Sequence, residues 1–196
     1  MGLLTASHHP RRTILKAIIR LMAGLAVAMA GPAALADDSL ESAVKAAFLY
    51  KFAPFVTWPA QAGETPTAPF VICVLGPEPL AGVLERAVAG QVVGQRPVVV
   101  RRLTATAFGA ACQVAYLGGA PAPAVRQAEL QLRGSPVLTV TDGGAAPGVI
   151  DFVLSDGRVR FRIDDQAAAD NGLVISSKLL GLAISVKTRR AEGARP

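Results

Sequence analysis

The spacing of apolar residues after position 38 predicts a first helix. Apolar side chains recur three and four positions apart, as on one face of a helix. They are Leu40, Val44, Ala47, Phe48, Phe52 and Phe55. Asp38 followed by Glu41 is typical of a capping box at a helix start, and Pro54 removes a backbone donor. We therefore predict a helix over about 39–53.

The rest of the chain alternates between strand and helix patterns. Runs of β-branched and aromatic residues predict strands at 70–75, 97–102, 112–117, 136–141, 149–154 and 158–163. Helical patterns lie at 79–89, 121–132, 167–170 and 178–183. Because helices separate several strands, we expect a partly parallel sheet, and Asp156–Gly157 predicts an antiparallel hairpin. The prediction is α/β: one three-layer α/β sandwich over 37–188, with a mixed sheet, an antiparallel edge hairpin and a flexible tail at 189–196.

Residues 1–36 have the pattern of a signal peptide. Four basic residues, Arg11, Arg12, Lys16 and Arg20, precede an apolar run too short to span a membrane stably. Small residues before Asp37 suit a signal peptidase, so we expect export to the periplasm and cleavage after about Ala36. We expect no stable membrane insertion after cleavage, and an uncleaved anchor is the alternative. Residues 11–16 also resemble a twin-arginine motif, which leaves the export route open.

The charge of the exported chain gives no reason to expect nucleic-acid binding. The whole sequence has 20 Lys and Arg against 14 Asp and Glu, a net charge of +6. Removal of the leader takes away four of the positive charges and leaves +2. Recognition of nucleic acid depends on clustered Lys and Arg, so a nearly balanced chain predicts no nucleic-acid partner.

Enzymatic chemistry has few candidate residues. His8 and His9 are the only histidines and lie in the predicted leader, which excludes histidine-based catalysis and the usual zinc sites in the exported chain. Gly143, Gly144 and Gly148 lack the Lys and Ser or Thr of a phosphate-binding loop. Asp164, Asp165 and Asp170 lack calcium-loop spacing and fit helix capping better. We predict no catalytic residue, no metal and no cofactor.

Cys73 and Cys112 are the only two cysteines, and an exported pair is usually oxidised. We predict one disulfide between them. Its role stays open between a structural cross-link and redox control of binding, with two buried free thiols as the remaining alternative.

Two groups of residues are candidates for partner binding. Five of the ten aromatic residues fall between Phe48 and Trp58, and Tyr50 and Trp58 are the preferred exposed members because aromatic side chains dominate interfaces. Arg158, Arg160 and Arg162 alternate with apolar residues, which places them on one face of a strand. The alternative interpretations are a hydrophobic core for the aromatics and a solvated sheet edge for the arginines.

Four ordered blocks resemble the YfiR/HmsC-like family of periplasmic regulators. They are Ala46-Ala47-Phe48-Leu49-Tyr50-Lys51-Phe52 with Phe55, Val56, Trp58 and Pro59; Cys73-Val74-Leu75-Gly76; Pro136-Val137-Leu138-Thr139-Val140-Thr141-Asp142; and Gly172-Leu173-Val174-Ile175-Ser176-Ser177-Lys178-Leu179-Leu180. The resemblance covers about 40–186. It implies a small α/β protein, often a homodimer, that binds the periplasmic part of an inner-membrane diguanylate cyclase. Repression of that enzyme lowers cyclic di-GMP and affects biofilm formation, and the resemblance implies no catalysis.

The chain departs from the family pattern at two points. Characterised members carry two disulfides, and only the pair matching Cys73 and Cys112 is present. An acidic residue usually follows the hairpin phenylalanine in a proposed cyclase-contact region, where this chain has Arg162 after Phe161. The alternative function is a periplasmic small-ligand sensor that acts on another membrane signalling protein, such as a histidine kinase.

Overall fold

The computed structural model describes residues 33–60, 68–76, 78–103, 112–144 and 147–190. The chain divides into two compact units, Met1–Ser39 and Leu40–Pro196. Residues 1–32 of the predicted export signal lie outside the described residues. The α/β fold belongs to the second unit.

Five α-helices lie in the described part of the chain. They are α1 (Ala33–Lys51), α2 (Glu78–Ala87), α3 (Ala122–Leu132), α4 (Asp165–Asp170) and α5 (Ser177–Leu180), with a 3-10 helix at Ala53–Phe55. Ser176 caps α5 by accepting a hydrogen bond from the backbone N–H of Leu179. The helical segments predicted in the second half of the chain are thus confirmed, with α5 ending earlier than expected.

Eight strands form one mixed sheet and two short strands form a separate pair. The strands are β1 (Val56–Thr57), β2 (Phe70–Val74), β3 (Val92–Val93), β4 (Arg96–Arg102), β5 (Val114–Tyr116), β6 (Leu138–Asp142), β7 (Ile150–Ser155), β8 (Arg158–Asp164), β9 (Val174–Ile175) and β10 (Ser185–Lys187). The large sheet has the order β10-β8-β7-β6-β5-β2-β4-β3, and β1 pairs with β9. Four neighbouring pairs are parallel: β4–β2, β2–β5, β5–β6 and β6–β7. The β7–β8 hairpin is antiparallel. The mixed α/β prediction is confirmed.

The two faces of the sheet have different hydrophobic clusters, which gives three layers. On one face Phe70, Ile72 and Val74 of β2 belong to the larger cluster, together with residues of α1 and α2. On the other face Val71 and Cys73 belong to a smaller cluster with α3. Alternation of side chains along β2 therefore buries both faces of the central strand, as in parallel sheets generally.

The first helix differs from its predicted bounds. It spans Ala33–Lys51, so it continues through Asp38 and Glu41 rather than beginning there. The preceding residues, Ala33 to Ala36, are strong helix formers, and Glu41 bonds forward to Lys45. The predicted capping box was wrong for this reason.

The sheet edge and the chain end also differ from expectation. The hairpin does not form the complete edge, because β10 pairs in parallel with Arg162–Asp164 of β8. Arg189, expected in a flexible tail, bonds Asp165 through Nε at 2.7 Å and through Nη2 at 3.0 Å. Strands of two or three residues carry too few positions for a period-two pattern. Residues 191–196 lie outside the described residues.

A short connection joins two parallel neighbours, β6 and β7. The Thr139 and Thr141 hydroxyls accept hydrogen bonds from the backbone N–H groups of Val149 and Gly148, each at 3.0 Å. A Cβ at Gly148 would lie 2.9 Å from the carbonyl oxygen of Thr139. Only glycine permits so close an approach, which holds the loop against the sheet.

Candidate functional site

A tight turn fixes the register of the β7–β8 hairpin. Asp156 and Gly157 have φ values of 52° and 68°. Positive φ at both central residues matches the twist of the flanking strands, and Ser155 is paired with Arg158. The hairpin predicted from the Asp-Gly pair is therefore confirmed.

The register places the three arginines on one face of β8. Arg158, Arg160 and Arg162 are exposed, whereas Phe161 and Ile163 between and beside them are buried. Phe161 packs against Phe48 and Phe52 of α1, so the guanidinium groups project from the opposite face of the sheet. Within the described residues none of the three arginines makes an ion pair. The face is a row of accessible positive charge.

The cross-strand neighbours of the arginines are not equivalent. Arg162 is opposite Asp151, a buried carboxylate, and Arg160 is opposite Val153. Asp151 accepts hydrogen bonds from the Thr141 hydroxyl at 2.8 Å and from the Gly143 N–H at 3.1 Å. A change at Arg162 would therefore act next to a buried charge, and Arg160 offers the cleaner probe of the surface.

Tyr50 and Trp58 are both half-buried and pack against the larger hydrophobic cluster. The Trp58 indole lies edge-on to Phe70, with ring centroids 5.3 Å apart. Its Nε1 donates a hydrogen bond to the backbone carbonyl of Gln113 at 3.2 Å. A partner role for these two aromatics stays a prediction. Both pack on the α1 side of the sheet, whereas the three arginines project from its other face.

The other candidates take structural positions. Cys73 and Cys112 form the predicted disulfide, with Cα atoms 5.7 Å apart, and both lie in the α3-side cluster. Asp164 caps α4 by accepting a hydrogen bond from the Ala167 N–H at 2.9 Å, and Asp165 binds Arg189. Within the residues searched, no three metal-ligating side chains come together.

A buried charge network lies at the carboxyl ends of β5 and β6, and it was not predicted. Lys45 of α1 is 8% exposed and binds the carboxylates of Glu41 and Asp142. The Tyr116 hydroxyl donates a hydrogen bond to Asp142 at 3.0 Å. Burial favours a lowered pKa of Lys45, but the hydrogen bonds and charges of the two carboxylates outweigh it and raise the pKa. Burial and the Asp142 charge raise the pKa of Tyr116 as well.

The sequence contains part of this signal. Lys45 lies four positions from both Glu41 and Leu49, so it lies on the same face of α1 as the buried Leu49. A charge on an apolar stripe requires a partner. Asp142 is 97 positions away, and only the tertiary fold brings it to Lys45.

Of two comparisons with known proteins, one found a match. Residues 42–184 match the model of a family described as YfiR/HmsC-like, which covers nearly all of the second unit. None of the curated proteins compared with the chain matches it. Among the described residues, no helix is long and apolar enough to cross a membrane.

Proposed function

The chain belongs to the YfiR/HmsC-like family, and from this membership we propose that it is a periplasmic, non-enzymatic repressor of a membrane diguanylate cyclase. It binds the periplasmic part of the cyclase and thereby lowers cyclic di-GMP and biofilm formation. The observation that carries the proposal is the family match across 42–184, the region that forms the α/β fold.

Repression follows from differential binding to two cyclase conformations. A regulator shifts the equilibrium only if it binds the inactive state more tightly than the active one. A difference of about 3 kcal/mol changes the ratio of the two states by roughly a hundredfold. The protein therefore needs an accessible, rigid surface and no catalytic group.

The arginine face of β8 is the surface we propose for this contact. Arg158, Arg160 and Arg162 are exposed on a strand whose opposite face is held in the aromatic core by Phe161. Guanidinium groups form bidentate hydrogen bonds with carboxylates, so the complementary partner surface is acidic. The rigid core beneath the strand keeps the three charges in register.

Deletion of the gene is expected to raise intracellular cyclic di-GMP. The reason is that the cyclase loses the protein that holds it inactive. The measurement compares the deletion strain with its parent and with a complemented strain. Unchanged cyclic di-GMP, under conditions in which the parent makes the protein, would contradict the proposed function.

The Arg160→Glu variant is expected to lose repression while keeping its fold. Reversing the charge at the centre of the row places a carboxylate against an acidic partner, and the cross-strand neighbour of Arg160 is the uncharged Val153. Cyclic di-GMP in cells making this variant should approach the deletion level. Binding to the purified periplasmic part of the cyclase should weaken by at least about tenfold.

Arg86→Glu is the matched control for this charge reversal. Arg86 is exposed on α2, which packs on the opposite face of the sheet. Both variants should accumulate to the level of the parent protein and unfold at similar denaturant concentrations. Equal repression by Arg160→Glu and Arg86→Glu would contradict the proposed contact through the arginine face. The deletion experiment tests the proposed function independently of that surface.

A further inference from the structure

The face of the sheet that bears the arginines carries a helix over one half only. Strand pairing aligns residues of six neighbouring strands on this face. They are Cys73, Ala115 and Thr139 in one row and Thr141, Asp151, Arg162 and Ser185 in the next. Helix α3 packs on β2 and β5 through the smaller hydrophobic cluster, to which β7, β8 and β10 contribute no residue. Within the described residues, the half formed by β7, β8 and β10 therefore has no helix held on it by hydrophobic packing.

This open half has the width of one helix. β7, β8 and β10 are adjacent, and neighbouring strands lie about 4.8 Å apart, so the three strands span about 10 Å. An α-helix with its side chains is about 10–12 Å across. One further helix beside α3 would complete the layer that α3 begins. We call this space the trough: β7, β8 and β10 form its floor, and α3 forms its wall.

The side of α3 that faces the trough is basic. Glu129 and Arg133 line a cleft on this side, and the charge of Asp151 on β7 acts on Glu129. Residues three, four and seven positions apart share one side of a helix, which places Arg126 and Leu130 beside Arg133. Both arginines are exposed, and Leu130 is 65% exposed. Within the described residues neither arginine makes an ion pair.

The floor of the trough adds the arginine row of β8. Alternate residues of a strand lie about 6.7 Å apart, so Arg158, Arg160 and Arg162 form a row about 13 Å long. Val153, which is opposite Arg160, adds half-buried apolar surface to the same face. The wall and the floor therefore combine unpaired guanidinium groups with some apolar surface.

Two carboxyl groups at the foot of the wall do not balance these charges. Asp151 is buried and accepts hydrogen bonds from Thr141 and Gly143. Burial raises the pKa of Glu129 to about 7, Arg133 opposes the shift and Asp151 adds to it. Glu129 therefore carries about half of its charge near neutral pH. Even with both carboxyl groups ionised, the arginines of the wall and floor outnumber them, and the trough is positive.

We propose that the trough binds an acidic amphipathic helix of the partner, which lies beside α3 and completes the helical layer on this face. Carboxylates four positions apart on a helix are separated by about 6 Å along its axis, close to the spacing of the arginine row. Each can accept bidentate hydrogen bonds from a guanidinium group. Apolar residues beside the acidic stripe contact Leu130 and Val153. The inference rests on the proposed function for the identity of the partner, the periplasmic part of the cyclase.

The test measures binding of two synthetic peptides of equal composition to the purified protein by fluorescence anisotropy. Each is alanine-based, about 20 residues long, and contains three glutamates and two leucines. In the stripe peptide the glutamates are four positions apart, which aligns them on a helix. In the alternating peptide they are two positions apart, which aligns them only on an extended strand. The stripe peptide should bind saturably, at least about fivefold more tightly than the alternating peptide, and more weakly as salt rises.

Charge reversals on the protein locate the contact. Arg126→Glu changes the wall and Arg160→Glu changes the floor, and each should weaken binding of the stripe peptide at least about fivefold. Arg86→Glu makes the same change in net charge on α2, which packs on the opposite face of the sheet. This control should bind the stripe peptide like the parent.

Failure of the inference is distinguishable from failure of the proposed function, because the peptide measurement does not involve the cyclase. Absence of saturable binding by the stripe peptide, or equal affinities for the two peptides, would overturn the acidic helix as the occupant. Equal affinities of Arg126→Glu and Arg86→Glu for the stripe peptide would overturn the trough as its site. Unchanged cyclic di-GMP in the deletion strain, together with the expected peptide binding, would contradict the proposed function alone.

Discussion

Replacing Lys45 by alanine is expected to lower the free energy of unfolding by about 1–3 kcal/mol. The substitution leaves Asp142 and Glu41 facing a buried position without their shared cation. The side chains of Glu41 and Asp142 are 35% and 26% exposed, so water replaces part, but not all, of the interaction with the lost ammonium group. Urea unfolding near neutral pH measures the change.

Two further variants test whether the loss of charge, rather than the loss of side-chain volume, causes the destabilisation of Lys45→Ala. Lys51→Ala removes an exposed lysine from the end of the same helix and should cost less than about 1 kcal/mol. Combining Lys45→Met with Asp142→Asn should recover part of the stability, because one of the two unpaired carboxylates disappears and Tyr116 keeps a partner. Similar losses for Lys45→Ala and Lys51→Ala would contradict the importance of the buried network.

The network also predicts how stability changes at high pH. The carboxylates raise the pKa of Lys45 in the folded protein, although burial opposes them. A raised lysine pKa stabilises the fold below the unfolded-state pKa, and this contribution is lost as pH rises through the folded-state pKa. The Lys45→Ala variant should therefore differ less from the parent in strongly alkaline solution than near neutrality.

Removing the disulfide is expected to cost up to about 4 kcal/mol of unfolding free energy. The cross-link joins residues separated by 39 positions, so its loss frees a long loop in the unfolded chain. We would replace both Cys73 and Cys112 by alanine, because each is buried in the α3-side cluster where a serine hydroxyl would need a partner. Urea unfolding of this variant, with and without dithiothreitol, provides the measurement.

The reductant supplies the control for the cysteine variant. Dithiothreitol should destabilise the parent towards the level of the double-alanine variant and leave the variant unchanged. No effect on the reducible parent, with reduction verified by alkylation and intact mass, would contradict the predicted stabilisation. Normal cyclic di-GMP in cells making a stable variant would then identify the disulfide as a structural cross-link only.

Local patterns were sufficient for most of the framework. Runs of β-branched residues located β2 and β4, and the Asp-Gly turn located the hairpin with the correct faces for Phe161 and Arg160. Each of these features depends on neighbours within a few positions, for which propensity and alternation are informative. The start of α1 was wrong because alanine-rich sequence continues the helix beyond a plausible cap.

The candidate functional surfaces could be predicted only in part. Alternation placed the three arginines together, and the sequence therefore identified the exposed row on β8. Composition could not show that Trp58 is half-buried, because its bond to Gln113 joins segments 55 positions apart. A cleft lined by α3, α4 and the β6–β7 loop forms only where these segments meet, and no local pattern predicts such a contact.

The sequence by itself determined the family, the α/β alternation, the cysteine pair and the side of the hairpin strand on which the arginines lie. These follow from short-range periodicity, residue type and ordered motifs. Only the tertiary structure decided that Lys45 meets Asp142 and that β10 covers part of β8. The physical reason is that burial and charge pairing depend on which distant segments share a surface, and packing of the whole chain sets that arrangement.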